Sequence, residues 1–209
     1  MFDEQTTAQI AAYFLSKAGG TLPHMKLLKL MYLADRQSYA ECGESITGDQ
    51  AYSMEFGPVL STTLKLVNGE ITSKHWGDVI KHRENNEVSL YRDATSNDFS
   101  RLTDTVSKIL NSISEVFGCF DQWVLSDYTH SFKEWKEPPS GGRIPISPDD
   151  ILSALQQTPP KTPQETKEIL EHLQDLNEPG FENNLAAMLE VNEDFATDYA
   201  KGIKERYCL

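Results

Sequence analysis

Between Pro23 and Gly43 the chain carries Met25, Leu27, Leu28, Leu30, Met31, Leu33 and Ala34, interrupted only by Lys26, Lys29, Asp35 and Arg36 among its charged positions up to that point. Pro23 suits the first turn of a helix there and Gly43 its end. A helix that is apolar around most of its circumference has to be enclosed by other elements. The rest of the sequence supplies them. Thr6 or Thr7 is placed to cap a first helix whose Ile10, Ala11, Phe14, Leu15 and Ala18 fall at helical spacing, with Gly19-Gly20 as its stop. Ser100 is placed to cap a long amphipathic helix with Leu102, Val106, Ile109, Leu110, Ile113, Val116 and Phe117 on one stripe, ending at Gly118. A further helix carries Trp123, Leu125, His130, Phe132 and Trp135 until the run PPSGGRIP at 138–145 breaks it, and Pro148 and Asp149 start a short one reaching Gln157.

Two stretches depart from the helical pattern. Residues 46–59, punctuated by Gly48, Gly57 and Pro58, read as an irregular or strand-like excursion, after which Pro58 suits the start of a helix through Val67 that Asn68-Gly69 closes. Residues 79–82 and 88–91, joined across Glu84, Asn85 and Asn86, read as a small hairpin. The fold class expected is therefore mainly α: a compact helical domain with a small β hairpin or strand element over residues 1–157. The proline-rich run TPPKTP at 158–163 reads as a linker. Residues 164–209 then form a C-terminal helical hairpin extension, with segments 164–176 and 181–207 split by Pro179-Gly180. Those residues are too few for a core of their own, so they should pack on the main domain or on a partner.

Composition narrows the chemistry. The 19 Lys+Arg against 32 Asp+Glu give a net charge of -13, a field that repels phosphate backbones, and the densest basic spots are only the pairs Lys26/Lys29 and Lys133/Lys136. Binding to nucleic acid by this chain alone is not expected. Cys42, Cys119 and Cys208 are far apart with no CxxC, which argues against a disulfide framework or a zinc site and for a reducing compartment. Cys119, between Gly118 and Phe120, reads as a small buried hydrophobe. The start MFDEQTTAQ has no basic region, and no run of about 18 apolar residues occurs, so neither a signal peptide nor a membrane span is expected and the cytoplasm follows.

Catalytic signatures are thin. There is no GxSxG, no glycine-rich phosphate loop and no HExxH, no cofactor is implied, and His24, His75 and His82 lack metal-ligand spacing. The nearest candidate centre, Ser126, Asp127 and His130, lies within five residues of one helix, where a nucleophile cannot face the imidazole as a triad requires. Glu134/Glu137 and Glu190/Glu193/Asp194 sit on faces that look solvated. The chain is not expected to be an enzyme.

Three blocks carry a resemblance. KLLKLMYLAD at 26–35 is followed by GESITGDQAYSMEFGPVLSTTLKLV at 43–67, which contains Gly48-Asp49, Ala51 and Gly57-Pro58-Val59, and by LSDYTHSFKEW at 125–135. In this order they resemble the Panacea domain, a family found in bacteria and prophages. The resemblance implies a mostly helical fold with a small β element. It also implies an antitoxin that neutralises a cognate protein toxin by direct binding, the toxin being encoded next door. Some members are similar to adaptors that deliver a toxin to an ATP-dependent protease, and an enzyme that reverses toxin chemistry is a further alternative.

On this resemblance the toxin-contact residues are Lys26, Lys29, Tyr32, Asp35 and Arg36 on the polar edge of the motif helix. Asp49, Phe56, Gly57, Pro58 and Val59 of the turn region join them, with His130 and Trp135 of the late block. Competing roles are set by chemistry: Leu27, Leu28, Leu30 and Leu33 belong in the core, Gly57-Pro58 suits a helix start, Trp135 suits packing, and Asp35 and Arg36 suit pairing with neighbouring charges. An acidic surface suits a basic partner.

Overall fold

The computed structural model describes residues 1–83 and 85–177. Its centre is the apolar helix, His24–Cys42 (here α2), whose Leu27, Leu30, Met31, Tyr32 and Leu33 are all buried. It is walled by Glu4–Lys17 (α1), Ser61–Val67 (α3), Asp104–Phe117 (α5), Gln122–His130 (α6) and Pro148–Gln157 (α7), each in contact with it. A single turn, Lys74–Gly77 (α4), packs on α1 and places Trp76 in the core. The all-round apolar sequence thus ends up enclosed on every side. Gly43, with φ 76°, supplies the left-handed residue that closes α2.

Two three-stranded antiparallel sheets flank the helices. One runs in the order Thr21–Pro23 (β1), Glu87–Leu90 (β5), Ile80–Arg83 (β4), and its β4–β5 hairpin turns through Asn85 and Asn86, both at positive φ, which Asn tolerates better than bulkier residues. The other runs in the order Gly57–Leu60 (β3), Ala51–Met54 (β2), Ile144–Ile146 (β6). The chain is mainly α with a small β component.

Element boundaries differ from the sequence expectation where a cap comes from an unexpected residue. Asp3, not Thr6 or Thr7, caps α1, accepting from Thr6 N at 3.0 Å, while Thr7 is buried and donates its hydroxyl to Asp3 O. Thr103, not Ser100, caps α5, because Ser96–Phe99 forms a separate 3-10 turn that Ser100 ends. Pro58 does not begin a helix: it lies in β3 opposite Ser53. α3 starts three residues later, and its first amides, Thr62 N and Thr63 N, are taken by the Asp49 carboxylate at 3.0 and 2.7 Å, a cap delivered from across the loop. α6 ends at His130, leaving Phe132 and Trp135 beyond it, and the run at 138–145 leads into β6 rather than a plain break.

Pro163–Asn177 (α8) follows the proline-rich run and lies against α5 and α6, where Ile169, Leu170 and Leu173 join the main core. The segment expected to be helical at 181–207 lies outside the described residues.

Candidate binding site at the β2–β3 turn

The family-like motifs meet at one place, the tight turn between Met54 and Gly57. Three of its carbonyls, and that of Pro58 just beyond it, are taken by groups from distant blocks. Trp135 Nε1 donates to Met54 O at 3.1 Å, His130 Nε2 to Glu55 O at 3.0 Å, Ser126 Oγ to Phe56 O at 3.1 Å and Lys29 Nζ to Pro58 O at 3.1 Å. Lys136 N adds a bond to Ser53 Oγ at 3.0 Å. A turn whose own amide groups are this fully engaged is rigid, since any other backbone path would orphan several of them. Gly57 is required twice over. Its φ is +90°, and a Cβ there would lie 2.6 Å from Thr129 Oγ1 and 2.8 Å from Lys29 Nζ.

What the clamp leaves outside is Glu55 and Phe56. Phe56 is 50% exposed and meets Trp123, 49% exposed, edge to face with centroids 5.9 Å apart. Single exposed aromatics are ordinary, but a rigidly presented pair has the composition of a binding hot spot. The pair borders a groove of about 490 Å³ floored by Met25, Leu28, Met54, Val59 and Leu64.

Beneath the turn, Lys29 has no exposed surface, and burial pulls its amine down to about 7 from the ordinary 10.5. His130, its ring 4.4 Å from Trp135, is also lowered, by burial first and then by the nearby Lys29 charge. Lys29 has a measurable signature. The unfolded chain keeps the lysine proton to pH 10 or so, while the folded chain releases it near 7, so between these values the unfolded state binds more protons and stability climbs with pH; below 7 the cost of the buried charge is present in full. Lys29→Met should be more stable than the parent at pH 6, on the order of a few kcal/mol, and should lose the rise between pH 7 and 10 in urea denaturation. An unchanged slope would contradict a buried Lys29 amine.

The polar residues of α2 have a second centre. Tyr32 donates to Glu134 Oε1 at 3.0 Å and Arg36 Nε to the same oxygen at 2.6 Å, with the Arg36 guanidinium 4.0 Å above the Phe132 ring. Asp35, fully enclosed, accepts from Ser45 Oγ, Ile46 N, Thr47 N and Thr47 Oγ1 at 2.6–3.0 Å. Tyr32, Asp35, Arg36, Ser45 and Asp49 edge a polar recess of about 340 Å³. Lys26 points elsewhere, donating to Gly118 O at 2.8 Å.

The structure therefore brings Lys29, Phe56, Gly57, Pro58, Val59, His130 and Trp135 together at the turn, and Tyr32, Asp35, Arg36 and Asp49 at the recess. Of Ser126, Asp127 and His130, the nearest candidate catalytic centre in the sequence, Ser126 and His130 both serve turn carbonyls. Two important residues escaped the sequence reading. Glu134 was placed on a solvated face but is buried, and its neighbours Phe132 and Trp135 were the signal that could have shown it. Trp123 is placed on the α6 helix by the sequence without a role, and nothing in its spacing betrays its exposure. Cys119, expected to be buried, is exposed beyond the end of α5.

Among the described residues no helix is long and apolar enough to cross a membrane, and no group of three His, Cys, Asp or Glu side chains is placed to hold a metal ion. A mainly α chain whose motif blocks converge on one hairpin turn matches, over residues 27–136, the family model described as antitoxin SocA-like, Panacea domain. The match covers more than half of the chain, and the chain belongs to that family. Searches of curated proteins and of solved structures returned no match.

Proposed function

We propose that the chain is a cytoplasmic antitoxin that neutralises a protein toxin by direct binding, with the β2–β3 turn and the Phe56–Trp123 pair at the centre of the contact. The observation that supports this most is the clamp of Trp135, His130, Ser126 and Lys29 on the carbonyls of Met54, Glu55, Phe56 and Pro58, which presents an exposed Phe56 from a rigid base. Preorganised aromatic anchors bind without the ordering cost that a mobile loop incurs. In this reading Phe56 touches the toxin. Lys29, Gly57, Pro58, Val59, His130 and Trp135 fix the turn, while Tyr32, Asp35, Arg36 and Asp49 fix the loop and helix behind it. The partner is a toxin encoded by the neighbouring gene.

The test is growth of cells expressing that neighbouring gene with and without this chain, followed by co-purification. Rescue with a stable complex is expected. Phe56→Ala combined with Trp123→Ala should weaken the complex by at least ~2 kcal/mol, roughly 30-fold, and leave thermal melting nearly unchanged because both side chains are half exposed. Rescue without a complex would point to toxin degradation through a protease or to enzymic reversal. A complex indifferent to the double variant would remove the turn from the contact.

A further inference from the structure

We infer that the groove beside Phe56 and Trp123 takes a cationic amphipathic segment of the protein partner, its apolar row seated on the groove floor and its Lys or Arg side chains turned to the rim. This rests on the reading of that face as the contact surface, and it names what the surface selects.

The floor is apolar and adaptable. Met25 and Met54 contribute flexible thioethers beside Leu28, Val59 and Leu64, and the volume of about 490 Å³ is enough for several side chains at once. The charges that line it are one-sided. Both lining cations are withdrawn: Lys29 is enclosed against Pro58 O, and His24 rests on Glu87 O at 3.1 Å with burial favouring its neutral form; Lys26, half-buried at the side, is tied to Gly118 O. Carboxylates are not withdrawn. Glu55 is exposed at the tip of the turn, and Asp121 is exposed at the start of α6, where it holds Trp123 N and Val124 N through one oxygen, Oδ1. An apolar floor under an acidic rim, on a chain of net charge -13, attracts a segment that is apolar on one face and positive on the other. The same charge disfavours a second copy of this chain as the occupant, because two such molecules repel.

The experiment needs no toxin. Fluorescence anisotropy of labelled peptides would be measured against the full chain with three probes: a Leu/Lys peptide with Leu at helical i, i+3, i+4 spacing, the same pattern with Glu for Lys, and an oligolysine without Leu. The Leu/Lys peptide should bind at least ~10-fold more tightly than either control. Trp123→Ala and Phe56→Ala should each weaken it by about 10-fold or more, and Glu55→Lys by several-fold at low salt and less at high salt. The inference is overturned by a Glu peptide or an oligolysine that binds equally, by a Leu/Lys affinity indifferent to Trp123→Ala, or by self-association of the chain that Trp123→Ala abolishes. Failure here alongside an intact toxin complex leaves the antitoxin reading standing. Selective peptide binding without growth rescue does the reverse.

Discussion

Glu134→Ala should lower the free energy of unfolding by about 3–5 kcal/mol, read as a fall in the urea midpoint at unchanged slope. The Glu134 side chain has no exposed surface and that of Arg36 only 11%, so removing the carboxylate leaves a guanidinium and a phenol enclosed with no acceptor. Burial first, and then the Glu134 charge, hold the Tyr32 hydroxyl well above its ordinary range, so it stays a donor at every pH of interest. Tyr32→Phe removes one neutral donor and should cost only about 1 kcal/mol. Glu134→Gln keeps an acceptor for Tyr32 but loses the charge opposite Arg36, and should fall between the two. An alanine variant as stable as the tyrosine one would show that Arg36 finds water when its partner is gone, and that the pair is less enclosed than the structure has it.

Asp35→Ala should cost a similar amount, about 3–5 kcal/mol, by a different route. One carboxylate satisfies two hydroxyls and two backbone amides of the 45–47 loop, and the bonds continue outward: Ser45 Oγ accepts from Gly48 N at 2.7 Å and Thr47 Oγ1 from Asp49 N at 3.1 Å, while Asp49 caps α3. Loss of Asp35 therefore strands buried donors and slackens the approach to β2. Amide hydrogen exchange should accelerate at Ile46 and Thr47 before it does in the core of α2. Asp35→Asn, whose amide keeps one acceptor oxygen, should lose less than Asp35→Ala. Unchanged protection at Ile46 and Thr47 in the alanine variant would mean that water replaces the carboxylate without cost.

These two residues show how far the sequence can be read. The centrality of α2 was legible because an all-round apolar helix has a single stable environment, and α5 and α7 were legible because their stripes are regular. Caps were misassigned by a few residues wherever two candidates stood close together, as with Asp3 beside Thr6 and Thr103 beyond Ser100, since composition cannot say which side chain turns back on the amides. Pro58 misled for a related reason. A proline suits a helix start, but the amide it lacks is also tolerated in an edge strand such as β3, and α3 draws its cap from Asp49 through space. β1 and β6, three residues each, are set by pairing with distant strands and leave no local period. At the site, the motif residues were legible as a group, but their division of labour was not. Whether Lys29, Asp35 or Phe56 faces solvent depends on which block folds over it, and only Phe56 is left outside.

The matched stretch 27–136 is narrower than the body that keeps it folded. α1, α7 and α8 lie outside it, yet α1 and α7 wall the central helix and α8 covers α5 and α6 with Ile169, Leu170 and Leu173. Residues 27–136 alone would therefore leave the faces of α2, α5 and α6 that α1, α7 and α8 cover open to water, and a fragment cut at those bounds is not expected to fold by itself.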